Sequence, residues 1–272
     1  MLLMILATLV ILGSLLSIMV TVLVKGLPAL NLAMITSAPQ GGYYLGKQGG
    51  ILNAILGSLY LAGGATLLAL LFALPVALYL NIYTKRSSRL ANLCRFAFDV
   101  LGGVPSIVYG AFGFTLMIFF GLRTSLLAGI ITVALFVLPL MIRAMDEVMR
   151  LVPEELLEAS FALGANRLET GFRVVLRQCL PGIITAVLIS FGRGIGDAAS
   201  VLFTAGFTDA IPYSLLRPAA TLPLAIFFQL GSPLPEIQSR AYAAALVLTV
   251  MILVISLASR LISKRVTRHI MK

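Results

Sequence analysis

Charge is scarce in this sequence. Lys, Arg, Asp and Glu together make up 11% of its 272 residues, about half the share of a soluble domain. The single histidine, His269, lies in a basic C-terminal tail, which excludes a histidine-based metal site and a Ser-His-Asp triad. The two cysteines, Cys94 and Cys179, stand about 85 positions apart without metal-ligand spacing and read as unpaired packing residues. No Walker A sequence, GxxxxGK[ST], occurs anywhere in the chain, so it cannot supply an ATPase of its own. No catalytic, metal or cofactor-binding residue is therefore assigned.

Apolar side chains are plentiful. They make up 60% of the chain, and the mean hydropathy is +1.06. These values define an all-α polytopic membrane protein surrounded by lipid. The net charge of +10 does not point to nucleic acid, because the charges flank apolar runs, as membrane topology requires.

Six runs approach or reach the roughly 17–25 residues needed to cross a hydrocarbon core: 2–24, 55–82, 104–120, 126–142, 182–205 and 241–259. The first lacks a basic leading segment and is too long for a signal-peptide core, so it reads as a retained span. Orientation follows from the basic residues. With the N-terminus inside, fourteen lie on the cytoplasmic side: Lys85, Arg86, Arg89, Arg95, Arg143, Arg150, Arg167, Arg173, Arg177, Arg260, Lys264, Arg265, Arg268 and Lys272. Five lie outside: Lys25, Lys47, Arg123, Arg217 and Arg240. Both termini are thus expected inside. The chain divides into a first span with its outer loop (1–50), a five-span core (51–264) and a basic tail (265–272).

Two connections stand out. The outer one, 207–240, holds five of the twelve prolines and should be shaped rather than loose. Its segment LPLAIFFQL is too short to span and fits a re-entrant or interfacial piece. The inner one, 143–178, holds six of the ten acidic residues. After Pro153, EELLEASFALGA predicts a short helix, with the proline in its first turn and Glu154 and Glu155 at the positive end of the dipole. Leu156, Leu157, Ser160, Phe161 and Gly164 fall near one face, and Gly164 offers a turn. A second helical piece, about 167–176, is expected before Pro181. Such a pair of helices is either a docking surface or a solvated connector.

The stretch GRGIGDAAS, residues 192–200, places two charges in an apolar run. On a continuous helix Arg193, Asp197, Ser200 and Thr204 recur at i, i+4, i+7 and i+11 and form one polar stripe. A charge at the bilayer centre costs roughly 2.5–3.5 kcal/mol even on the lenient scale, so the stripe must face a bundle or a water-filled path. Gly192, Gly194 and Gly196 would let a backbone or substrate approach. One reading pairs Arg193 with Asp197 as a packing device. The other presents Arg193, a planar fork of donors, to a tetrahedral oxyanion. Asp197 would then hold the arginine head, or accept a hydrogen bond from a protonated oxyanion such as hydrogen phosphate. The GxGxG spacing follows no strand and is not a nucleotide loop. Gly102, Gly103, Pro105, Ser106 and Tyr109 open the third span as either a packing kink or the lining of a cavity.

EASFALGA, followed by RVVL and CLPGI, resembles the EAA loop of ABC importer permeases. DVLGGVPSIVYGAFG, PGIITAVLISFGRGIGDAAS and LPLAIFF narrow the resemblance to the phosphate-specific branch of that family, from about residue 52 to the C-terminus. Departures stand at Ser160, Arg177, Asp197 and Ser200, where the family usually has alanine, proline, glutamate and proline.

The resemblance implies a MetI-like fold with six transmembrane helices in a bacterial or archaeal cytoplasmic membrane. It implies docking of Glu158, Ala159, Ser160, Phe161, Gly164 and Ala165 on an ATP-binding subunit. It makes Arg193, Asp197, Ser200, Thr204, Ser106 and Tyr109 residues of a substrate path. Its implied partners are a second, PstC-like permease subunit, two PstB-like ATP-binding subunits that hold ATP and Mg, and an extracytoplasmic PstS-like phosphate-binding protein. The chain would then be a transport subunit, not an enzyme, moving inorganic phosphate inward by alternating access. The alternatives are a permease for sulfate, molybdate or phosphonate, an ion-coupled transporter or channel, and a non-transporting anchor for an ATPase.

Overall fold

A computed structural model describes residues 1–40, 48–85 and 88–267. Lys47, Arg86, Arg268, His269 and Lys272, counted above, lie outside the described residues. The chain is almost wholly helical. Helix α1 (Leu2–Gly26) is followed by a 3-10 turn (Leu27–Ala29) and α2 (Leu32–Thr36). A two-residue antiparallel ladder joins β1 (Pro39–Gln40) to β2 (Gln48–Gly49). Then come α3 (Leu52–Leu78), which continues as a π-helical turn (Tyr79–Tyr83), α4 (Arg89–Gly103), α5 (Ser106–Phe119) and α6 (Leu126–Arg150). Helix α7 (Glu154–Ala162) precedes α8 (Arg167–Glu169), a π-helical segment (Thr170–Val175) and α9 (Leu176–Gly196). Last are α10 (Leu222–Leu230) and α11 (Pro235–Thr267).

The core forms where α3 meets α6. Ala65, Ala69, Ala73 and Ala77 recur every fourth residue of α3 and are buried, so they share one face of the helix. Small side chains there let α6 approach closely, which is how helices associate where lipid competes for apolar surface. Val133, Val137, Met141 and Met145 of α6 belong to the same core cluster. Gly57, near the start of α3, meets the backbone of the outer connection, and a Cβ there would collide with the Ala220 carbonyl. Helix α1 is largely exposed along its apolar length, but its end is pinned to α11. Lys25 lies over the Tyr242 ring at 5.0 Å, and a Cβ at Gly26 would come within 2.7 Å of the Tyr242 carbonyl oxygen.

Three expectations change. The third span is a helix shorter than the run 104–120, and it is sharply bent where that run begins. Helix α5 has 14 residues, about 21 Å at 1.5 Å per residue, which falls short of a hydrocarbon core of about 30 Å. It meets α4 at a bend of 97°, because Pro105 has no N–H to extend the helix and its ring drives Val104 into extended geometry. Among the described residues, five helices are long and apolar enough to cross a membrane, or six if the bent pair counts as one span. Second, the piece at 167–176 is not a separate short helix. It runs through its π-helical segment and past Pro181 into α9 as one 30-residue helical stretch. Third, Pro153 is the N-cap of α7 and lies just outside its first turn.

The outer connection is shaped by its backbone partners. Ser125, Leu126 and Leu127 at the start of α6 donate their N–H groups to the carbonyls of Thr204, Arg217 and Leu215, which supplies partners that a helix N-terminus lacks. Ser58 accepts the Leu222 N–H at 2.8 Å, and Asn53 donates to the Thr208 carbonyl at 2.7 Å. The segment LPLAIFFQL is α10, with Leu222, Leu224 and Ala225 buried. It packs against α11 and α3.

Candidate functional site

The polar stripe expected through GRGIGDAAS does not form, because the helix stops inside it. Helix α9 ends at Gly196, and Asp197 has extended dihedrals, φ −86° and ψ 125°. Three alternating glycines weaken the last turns. The Asp197 carboxylate then accepts the Ser200 N–H at 2.8 Å, a local bond that competes with helix continuation. From there to Ala205 the chain runs in turns. Ser200 and Thr204 are fully buried, and the Thr204 hydroxyl bonds back to the Ser200 carbonyl at 3.3 Å. They pack the interior and do not line a surface in this conformation. Irregular backbone in a membrane protein is tolerated where protein covers it, and Ser200, Val201, Thr204 and Ala205 are buried here.

Arg193 stands in the last turn of α9, where unpaired carbonyls favour a cation. Its side chain is exposed on the chain surface. The guanidinium carbon lies 4.8 Å from the centroid of the Phe136 ring of α6, within cation–π range. No ion pair joins Arg193 to Asp197 among the described residues, so the packing-pair reading fails. Gly192 beside it opens on free space, whereas Gly194 packs close to Val133.

Tyr109 also contacts this ring. It meets Phe136 edge-on, with centroids 5.7 Å apart. Its hydroxyl donates to the Leu101 carbonyl at 2.9 Å, which braces the bend between α4 and α5. Ser106 is half-buried at the first position of α5, one turn before Tyr109. The structure therefore gathers Arg193 and Tyr109 around Phe136, with Ser106 one turn away. It leaves Asp197 at the helix end and withdraws Ser200 and Thr204. Phe136 carried no signal beyond its place in an apolar run.

A second polar centre was not foreseen at all. Asp146 of α6 is fully buried and receives Arg95 Nε at 2.8 Å and Nη2 at 3.0 Å. Asn81 donates to it at 2.8 Å. Arg143 lies 2.6 Å from Asp99, 3.6 Å from Asp146 and 3.4 Å from Glu147. The one available signal was Asp146 itself, which shares a helix face with Ile142, Met145 and Met149, all buried.

The inner loop folds as a hairpin. Helix α7 closes at Gly164, whose φ of +84° is the left-handed geometry that glycine adopts without steric cost. The Ala165 N–H returns to the Ser160 carbonyl at 3.2 Å. Glu158, Ala159, Phe161 and Gly164 are exposed, and Ala165 is half-buried. Ser160 is buried, with its hydroxyl 2.9 Å from that of Thr170. It fastens α7 to the π-helical segment and also lines the groove beside it. Leu163 is 89% exposed. With Leu156, Ala159, Gly164, Ala165 and Arg173 it lines a groove of about 570 Å³.

A bundle with five long apolar helices, or six spans if the bent pair is one, has the architecture of an all-helical polytopic membrane protein. Residues 65–268 match the family described as binding-protein-dependent transport system inner membrane component. The chain belongs to that family. It is 32% identical to the phosphate transport system permease protein PstA of Haemophilus influenzae over 244 residues, covering 90% of this chain and 85% of that one. It is 38% identical to PstA 1 of Mycobacterium tuberculosis (strain ATCC 25618 / H37Rv) over 223 residues, covering 81% and 72%. A chain of the MetNI methionine ABC transporter, solved in inward-facing conformations, superposes with a TM-score of 0.65 at 20% identity. That match covers 79% of this chain and 95% of the other and establishes the MetI-like fold.

Proposed function

We propose that this chain is one permease subunit of an ATP-driven importer of inorganic phosphate in a cytoplasmic membrane. The observation that carries the proposal is Arg193. Its guanidinium is stacked on Phe136, exposed, and unpaired among the described residues, so its donor edge is available to an oxyanion. The names borne by the relatives point the same way. Contact with the ring face leaves the donors of the fork unoccupied. Asp197, turned onto the Ser200 backbone, leaves the arginine uncompensated.

The partners in this reading are a second related permease subunit, two ATP-binding subunits that bind ATP and Mg, and a soluble phosphate-binding protein outside. The exposed residues Glu158, Ala159, Phe161 and Gly164, with half-buried Ala165, dock on an ATP-binding subunit. Closure of the ATPase dimer moves this hairpin, and the bundles alternate between outward and inward access. The chain performs no covalent chemistry.

The test is labelled-phosphate uptake in cells that lack their own version of this subunit and retain the others, comparing the chain with Arg193→Gln at matched membrane abundance. A charge-assisted hydrogen bond contributes about 1.5–3 kcal/mol, so uptake at low phosphate should fall by about 10- to 150-fold. Uptake that survives the substitution would make Arg193 a brace. Equal competition by sulfate, molybdate or phosphonate would reassign the substrate.

A further inference from the structure

The proposed phosphate path does not use the buried polar centre at Asp146, yet its geometry ties the two ends of the machine together. Three helices meet at this carboxylate. The π-helical turn that continues α3 sends Asn81, α4 sends Arg95, and α6 carries Asp146 itself. The centre lies at the end of the bundle from which the inner hairpin projects. Arg167, which opens α8, donates to the Tyr83 carbonyl at 3.3 Å, two residues beyond Asn81. The Cys179 thiol of α9 reaches the Val148 carbonyl of α6 at 3.6 Å, two residues beyond Asp146.

From Arg95, α4 runs eight residues to the bend, about 12 Å. Beyond the bend, α5 carries Ser106 and Tyr109. The bond from the Tyr109 hydroxyl to the Leu101 carbonyl closes the angle between α4 and α5 into a rigid bracket. One arm is gripped by Asp146 beside the hairpin. The other lies at Phe136 and Arg193.

The grip is incompletely satisfied. Arg95 Nη1 and Asn81 Oδ1 are buried without a hydrogen-bond partner among the described residues. Arg143 divides itself among Asp99, Asp146 and Glu147, with its longest contact to Asp146. A well-packed apolar set often does as well for stability as a buried ion pair. A centre whose second arginine is already shared can exchange partners without leaving Asp146 unpaired.

We propose that Asp146 is a positioning residue for transport: with Arg95, Asn81 and Arg143 it passes movement of the inner hairpin to the α4–α5 bracket, and so to the Tyr109 side of the path. The role rests on the permease reading above, but it does not depend on which anion is carried.

The experiment uses the reconstituted complex with its permease and ATP-binding partners. In a chain carrying Cys94→Ala, Cys179→Ala and Ser106→Cys, the maleimide labelling rate at position 106 is measured with and without ATP. Asp146→Asn is then added. A second variant, Arg95→Met with Asp146→Leu, removes the charges and keeps the packing volume, and it decides the matter if the first fails to accumulate. Uptake is measured for the same Asp146 and Arg95 changes with Ser106 intact.

The expected result is ATP-dependent labelling in the parent that both variants lose. Maximal uptake should fall by about tenfold or more, with KM for phosphate within about twofold. Labelling that ignores ATP in the parent, or responds to it equally in the apolar pair, overturns the proposal. So does wild-type uptake by that pair, since packing alone would then suffice. A complex that takes up no phosphate, yet shows ATP-dependent labelling abolished by Asp146→Asn, sinks the substrate and leaves the coupling role standing.

Discussion

Two glycines near the arginine should respond in opposite ways to the same added methyl group. Gly110 of α5 crosses the turn that follows α9. A Cβ there would stand 2.8 Å from the Ala199 carbonyl oxygen, 2.9 Å from that of Ser200 and 3.1 Å from the Ser200 Cα. All three atoms are backbone and cannot rotate away, so α5 must back off by several tenths of an ångström. Overpacking of this kind costs about 1–3 kcal/mol. Gly192, inside α9, has nothing within 4 Å of its ideal Cβ. There alanine removes the entropy penalty of a helical glycine and should stabilise by about 0.5–1 kcal/mol. The assay is thermal unfolding of the purified chain in detergent, with phosphate uptake measured in parallel. Gly110→Ala should lower the midpoint and reduce uptake, because α5 carries Ser106 and Tyr109. Gly192→Ala should raise the midpoint. Equal midpoints, or greater damage from Gly192→Ala, would refute the claim that α5 sits in backbone contact with the end of GRGIGDAAS.

Other outcomes follow from single contacts. Gly164→Ala forces a left-handed residue to carry a side chain, at about 1–2 kcal/mol, and co-purification of the ATP-binding subunits should weaken while the bundle keeps its midpoint. Ser160→Ala leaves the buried Thr170 hydroxyl without its partner, at about 1–3 kcal/mol, and protease cleavage between α7 and α9 should quicken. Tyr109→Phe keeps the edge contact with Phe136 but removes the bond to Leu101, so a stability loss of about 0.5–1.5 kcal/mol, read as a lower midpoint, is expected. If that variant instead matched the parent in stability, the hydroxyl would not brace the bend.

The class of fold was legible because hydrophobic length is a one-dimensional signal. The runs at 2–24, 126–142 and 241–259 each fall within a helix of the observed bundle, and 55–82 falls within α3 and the π-helical turn that continues it. The turn at Gly164 was legible because only glycine takes its φ cheaply. The misreadings share a cause. At 182–205 an apolar run continues while the helix does not, because Gly196–Asp197 breaks the backbone without breaking the hydropathy, and Val104–Pro105 does the same where the run 104–120 begins. A period of 3.6 carried through such a point puts residues on a face that does not exist, and so Ser200 and Thr204 were placed beside Arg193. The glycine density and the short polar side chain of Asp197 were the signals for termination. The pairing of Arg95 with Asp146 joins residues 51 apart, and no local pattern specifies a partner at that distance.

The chain places two of its arginines in apolar surroundings and treats them oppositely. Arg95 is 6% exposed and gripped by a carboxylate through two of its nitrogens, so its charge is answered within the chain. Arg193 stands exposed on an aromatic ring with its donors unengaged among the described residues. A folded chain that needed only a brace at position 193 had a carboxylate four residues away and did not use it. Ending α9 at Gly196 swings Asp197 off the helical face that would have brought the two together, and the Ser200 N–H then engages its carboxylate. Breaking the helix therefore does more than shape a loop. It separates a cation from the nearest acidic side chain in the sequence and leaves its donors unengaged among the described residues. Continuing the helix should reverse this. In Gly194→Ala/Gly196→Ala the two substitutions favour helix by about 0.5–1 kcal/mol each, and a Cβ at Gly194 meets side-chain atoms only, Val133 Cγ1 at 3.1 Å and Val137 Cγ1 at 3.8 Å. If termination is what keeps Arg193 available, that variant should lose phosphate uptake while α9 gains helical protection in amide hydrogen exchange, and adding Asp197→Asn should restore part of the uptake. Loss of uptake that Asp197→Asn leaves untouched would mean that the break serves packing alone.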